Sequence, residues 1–214
     1  ATGIDVTGTV VADGLTVENT SGATLNVNTG LVGADSKILL HEGSTASPAN
    51  GASIRYSGAT NEFSIGVGSS VDTKRLSIAR DTGNISFYDT SGTAKLIWKA
   101  ADSSLGIGYT PDDWYVTFNA IQVGARGSSI FGRSENNDVS IGSNMYINAA
   151  GANTYINTDE ASYYQQLNGI HAWNSAVSGT AGDPINFSRK MTLLANGNLG
   201  IGTDSPGAAL EVNR

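Results

Sequence analysis

KRLSIARDTGNISF (Lys74–Phe87), AKLIWKAADSSLGIGYTP (Ala94–Pro111) and RKMTLLANGNLGIGTDSP (Arg189–Pro206) repeat one pattern. Each sets a Lys before an apolar/other/apolar alternation: Leu76 and Ile78, Leu96 and Trp98, Met191 and Leu193. A turn and a second alternation follow, which reads as strand, turn, strand because side chains along a strand alternate between two faces. A second repeat supports this, since GASIRYSGATNEFSIG from Gly51 aligns without gaps on GSSIFGRSENNDVSIG from Gly127. A chain that reuses small β units points to an elongated structural or binding protein rather than an enzyme.

Composition narrows the class. Charged residues make up 14% of the 214 residues, against about a quarter in ordinary domains. The modest net charge of -7 and the regular β patterning speak for a folded chain, because disorder couples low hydrophobicity to high net charge. A folded chain short of core completes it with other copies of itself. The acidic balance argues against a nucleic-acid partner, which needs clustered Lys and Arg. Lys74-Arg75 and Arg189-Lys190 are too short for such a patch. No run of 18 apolar residues exists, so no membrane insertion is expected. The N-terminus has neither the basic nor the apolar segment of a signal peptide, and with no Cys there is no disulfide or thiolate metal site.

Along the chain, residues 1–35 alternate Ile4, Val6 and Val10 up to Asp13-Gly14, a two-residue hairpin signal. Thr, Asn and Gly dominate there, and the segment reads as an N-terminal stalk-like β segment. Residues 36–110 form a first β module with strands expected near Lys37–His41, Ser53–Tyr56, Glu62–Val67, Arg75–Arg80, Asn84–Tyr88, Lys95–Lys99 and Leu105–Tyr109. Turn residues separate them at sandwich-like or barrel-like spacing. Residues 111–214 form a second, aromatic-rich module that reuses the ends of the first. Its one candidate helix, EASYYQQL (Glu160–Leu167), reads equally well as a strand. Each LGIG, at Leu105 and Leu199, is read as the close of a module.

The second module resembles a segment common in the tail fibres of tailed bacteriophages. The resemblance rests on NAIQVG (Asn119–Gly124), NMYINAAGANTYIN (Asn144–Asn157), ASYYQQLNGIHAW (Ala161–Trp173), SGTAGDPINF (Ser178–Phe187) and MTLLANGNLGIGTDSPGAALEV (Met191–Val212). In that family such a closing string commonly precedes an intramolecular chaperone that trimerises the fibre and cleaves itself off. Ending at Arg214 then has two readings: the chaperone has been removed, or it never belonged to this chain. The resemblance implies an all-β, elongated homotrimeric fibre, its stalk followed by two small β-sandwich or β-prism-like modules. It further implies a place on the virion surface, other virion tail proteins as neighbours, and attachment to a host cell-surface glycan or protein. A head or capsid fibre is the alternative reading, and a polysaccharide-degrading tailspike the second.

Chemistry finds few footholds. His41 and His171 lack a second His at ligand spacing, so no metal is expected. Asp112-Asp113 and Asp159-Glu160 are sequence neighbours whose side chains point to opposite faces of a strand, whereas glycoside cleavage needs two carboxyls flanking one bond. Only a distant pair such as Asp113 with Glu160 would serve. No catalytic residue and no cofactor is assigned. The glycines of GNLGIG do not have phosphate-loop spacing and read as turn residues. The receptor-binding candidates are Trp114, Tyr115, Tyr146, Tyr155, Tyr163, Tyr164 and Trp173, because Tyr and Trp offer broad faces with polar tips. The competing reading is that these rings fill the module's own core or the contact between chains. Three identical chains would present three copies of each weak site and gain by avidity.

Overall fold

The computed structural model describes residues 25–44, 47–68 and 73–213. The Asp13-Gly14 hairpin and most of the stalk-like segment lie outside the described residues. In chain order the strands are β1 (Asp35–Ser44), β2 (Ser47–Ser57), β3 (Glu62–Gly68), β4 (Lys74–Ala79), β5 (Ile85–Tyr88) and β6 (Ala94–Lys99). Next come β7 (Ser104–Ile107), β8 (Phe118–Val123), β9 (Ser128–Arg133), β10 (Asp138–Ser143), β11 (Met145–Ile147) and β12 (Asn153–Tyr155). The last five are β13 (Asp159–Leu167), β14 (Ile170–Gly179), β15 (Ser188–Leu193), β16 (Leu199–Ile201) and β17 (Leu210–Val212). The described residues contain no helix. Glu160–Leu167 belongs to a strand, held between β10 and β14 with Ile141, Tyr164 and Trp173 abreast.

All strands except β11 and β12 join one 15-stranded sheet in sequence order, while those two pair only with each other. The described strands are all β, and hydrogen bonding links fifteen of them into one continuous sheet. Neighbouring strands pair antiparallel except at two places, β7 with β8 and β16 with β17. These are the strands that contain LGIG. Each LGIG strand ends in a crossover that brings the next strand back parallel to it. An open β7 edge would leave its N–H and C=O groups without ladder partners. The crossover through Pro111 avoids this by laying β8 alongside.

The pairing reveals two equivalent units. Ile54 faces Ile65 and Ser53 faces Gly66 in the first; Ile130 faces Ile141 and Ser129 faces Gly142 in the second. Leu96 faces Ile107 and then Val123, as Met191 faces Ile201 and then Val212. The crossovers agree bond for bond. Gly108 N–H donates to Lys95 O at 2.7 Å and Gly202 N–H to Lys190 O at 2.9 Å. Gly124 N–H and Asn213 N–H donate to Ile107 O and Ile201 O, both at 2.9 Å. Strands β1 to β7 thus correspond to β8 to β10 and β13 to β16, and β8 serves both units, ending one and beginning the other.

Local chemistry sets the turns. Asn168 and Gly169, with φ of 52° and 79°, form the Asn-Gly turn that hairpins of right-handed twist favour. Gly106 and Gly200 are needed for a different reason. A Cβ on Gly106 would collide with Tyr109 O and sit 2.6 Å from Pro111 Cδ; on Gly200 it would sit 2.6 Å from Thr203 O. Each crossover therefore folds back onto a glycine of its own LGIG strand. Gly106→Ala is expected to lower stability by about 1–3 kcal/mol through overpacking. Gly207→Ala, whose nearest neighbour is 3.8 Å away, should leave it nearly unchanged. Thermal unfolding of the two variants checks this.

Candidate interaction surface

One face of the sheet carries a line of directly paired apolar residues. It runs Tyr56, Phe63, Ile78, Ile85, Trp98, Leu105 and Ile121. It continues through Ile130, Ile141, Tyr164, Trp173, Met191, Ile201 and Val212. In the first unit a second row, Ile38, Ile54, Ile65, Leu76, Phe87, Leu96, Ile107 and Val123, lies beside it. These side chains are not covered: Phe87 is 46% exposed, Ile130 50% and Ile141 54%.

The opposite face is mostly small and polar, and it is covered. Ser53, Ser64, Ser77, Ser129, Ser140 and Thr192 are buried there. In the first unit, long neighbours shield them: Ser77 Oγ and Tyr88 OH are hydrogen-bonded at 2.9 Å, and Lys74 bonds Glu62 at 2.9 Å while lying over the Tyr88 ring. In the second unit, β11, β12 and the flanking loops form a lid. Trp114, Met145, Ile147, Tyr155 and Ile185 pack with Ala120, Phe131 and Ala161 into a core.

That lid decides the fate of the seven aromatic candidates, which the structure does not bring together. Trp114 is 2% exposed, with its ring 5.0 Å from Phe131. Tyr155 is 6% exposed and donates its hydroxyl to Val177 O at 2.5 Å. Both fill the core and have no face to offer a receptor. Tyr115 and Tyr146 are half-buried against that core. Burial and the charges of Asp112 and Asp113 raise the Tyr146 phenol above its ordinary value. Tyr163 packs edge-on against Phe187 at 4.7 Å, and burial raises its phenol too. Only Tyr164 and Trp173 stand on the apolar face, 5.0 Å apart, with Tyr164 OH hydrogen-bonded to His171 Nδ1.

The carboxylates also separate. Asp113 pairs with Lys99, and Asp112 Oδ2 accepts from Gln122 Nε2 at 2.8 Å. Asp159 and Glu160 instead line a groove at the far end of β13 and β14 that Asp113 does not enter. Hydrogen bonding with the Glu160 side chain, and next its backbone N–H, which donates to Asp159 Oδ1 at 3.0 Å, holds the Asp159 carboxyl below the usual range.

Sequence reading missed the polar clasp where the two units meet. Lys99 Nζ lies 3.0 Å from Asp102 Oδ2, and Asp102 also accepts from Ser104 Oγ at 2.6 Å and Trp114 N–H at 3.1 Å. Gln122, fully buried, accepts from Trp114 Nε1 at 3.2 Å and Asp112 N–H at 3.1 Å. At the equivalent place in the second unit, Glu211 accepts from Gly207 N–H at 2.8 Å. A polar residue at an inward position directly after a crossover was the available signal: Gln122 pairs with Gly106 as Glu211 pairs with Gly200.

Scanned against models of known protein families, the chain matches none, and no curated protein matches its sequence.

Partial burial works against the Lys99 ammonium, but hydrogen bonds to Asp113 and Asp102 prevail and raise it above the ordinary lysine value of 10.5. A raised lysine stabilises the fold fully below its unfolded value and loses that contribution as pH climbs through the folded one. Lys99→Met, which strands the buried Asp102, should cost about 3 kcal/mol at neutral pH. Measured above pH 10.5 by denaturant titration, the difference from wild type should shrink.

Proposed function

We propose that this chain is a segment of a homotrimeric fibre on a tailed-bacteriophage particle, a non-enzymatic virion component that attaches the particle to the host cell surface. The observation that carries the reading is the uncovered apolar row. Adjacent strands lie about 4.8 Å apart, so the row extends for roughly 60 Å along the ladder. Monomeric proteins rarely expose contiguous apolar patches beyond a few hundred Å². A partner must match a narrow strip of that length, and another copy of the chain carries one.

Fibre building also suits the repeat, because each unit adds strands to one ladder without altering its faces. The resemblance of the second unit's strings to tail-fibre sequence supplies the phage context. The lid over β8 to β14 lies on the face away from the apolar row. Burying that row between copies therefore leaves the lid facing outward, where a fibre meets its surroundings.

Sedimentation should give a species of three times the 22.0 kDa chain mass. Ile130→Asp should reduce it to folded monomer, because a half-exposed side chain contributes little to its own chain's stability. A stable wild-type monomer would overturn the assembly. Antibody labelling of intact particles should mark the tail; label confined to the head would favour the head-fibre alternative.

A further inference from the structure

Among the described residues β17 has a hydrogen-bonded neighbour on one side only, whereas β8, which ends the first unit as β17 ends the second, is paired on both. Backbone groups along a strand point alternately to its two sides. Ala209 O accepts from Leu199 N–H and Asn213 N–H donates to Ile201 O, both at 2.9 Å, so these residues face β16. The N–H and C=O groups of Leu210 and Val212 therefore point to the open side. Their counterparts on β8, Ile121 and Val123, turn the same groups toward β9, opposite Ile130 and Ser128. Side chains follow the same equivalence. Ile121, Gln122 and Val123 recur as Leu210, Glu211 and Val212, and Leu210 is 60% exposed where Ile121 is 39%. Gln122 is fully buried opposite Ser129, while Glu211 is only half-buried.

We propose that the open edge of β17 docks an extended segment of another polypeptide as an antiparallel strand, with a sequence of the type Gly-x-Ser-Ile. Edge addition takes its affinity from main-chain bonds and its specificity from alternate side chains. The main-chain bonds come from Leu210 and Val212, each exchanging a pair with the residue opposite. The specificity follows from the ladder itself. Both strands that occupy the next position, β2 and β9, carry Gly-x-Ser-Ile, at Gly51 to Ile54 and Gly127 to Ile130. In the register of β9 on β8, the isoleucine comes to lie opposite Leu210 and covers it, and the serine opposite Glu211. The Glu211 carboxylate accepts from Gly207 N–H at 2.8 Å and otherwise has only a 3.5 Å contact with Asn213 Nδ2. A serine hydroxyl donates to such a group, whereas an acidic residue there is rejected, because like charges directly opposite are destabilising. Copies that meet on the apolar face leave this edge open, so the docking stands whether or not the fibre reading does.

Amide hydrogen exchange on the full chain tests this, with a synthetic peptide of Gly127–Ser134, GSSIFGRS, as the probe. Exchange at Leu210 and Val212 should slow in step with peptide concentration, by about tenfold near saturation, because binding protects amides that gain a partner. The Glu211 and Asn213 amides, which face β16, should change little. Peptide N-methylated at Ile130 lacks the N–H that would pair with Leu210 and should give no protection. Peptide carrying Ser129→Glu should also fail. In the chain, Val212→Pro removes an outward N–H, which an edge strand tolerates; it should leave thermal unfolding nearly unchanged and abolish the protection of Leu210. Should that variant unfold, the N-methylated peptide reads out the same bond on the unaltered chain. No slowing at millimolar peptide overturns the docking. Protection that survives both N-methylation and Ser129→Glu overturns it too, as does protection that appears on β1 instead of β17. A wild-type monomer in sedimentation that still shows the protection overturns the fibre reading and supports this edge.

Discussion

A sheet one layer thick has two faces, and water tolerates only one kind. Strand alternation in this chain assigns Ile, Leu, Phe and Trp to one face and Ser, Gly and Thr to the other with few exceptions. Everything else in the structure responds to that division. The small face can be covered within the chain, because a neighbouring Lys or Tyr lying across the serines, or a lid such as β11 and β12, suffices. The apolar face is left uncovered within the chain, since most of the strands' bulky residues already point to it.

The lid explains why the second unit differs from the first. Inserting residues between β10 and β13, and lengthening the link from β14 to β15, supplies Met145, Ile147, Tyr155 and Ile185. Together with Trp114 from the crossover they make the one sizeable core among the described residues. The junction is fixed by charge and amide chemistry instead: Lys99, Asp102 and Gln122 tie the crossover down while β7 and β8 share a ladder. Packing and polar clasping thus divide the work, one broadening the second unit, the other fastening it to the first.

Much of this was legible in the sequence. The strands from Lys37 to Tyr109 fall where alternation placed them, within a few residues, because period-two patterning and Gly or Asn turns are local signals. The alignment of Gly51–Gly66 on Gly127–Gly142 survives as identical cross-strand register. What alternation could not show is which strand lies next to which. Pro111 and Pro206 follow LGIG at crossovers, and parallel pairing after a loop leaves no local trace. The aromatic candidates divide between the two faces for a related reason. Alternation says that Tyr163 and Tyr164 point opposite ways, but only the structure shows that Tyr163 packs against Phe187, while Tyr164 and Trp173 stand on the bare side.

Because β8 ends one unit and begins the next, the units overlap rather than abut. Cutting the chain at the loop before it would orphan two strand edges, whereas an exchange within β8 and β17, which occupy the same position, would add or delete a whole unit and keep the ladder in register. Lengthening such a ladder is then a matter of gene duplication by unequal recombination, with no new fold to invent and no junction to repair.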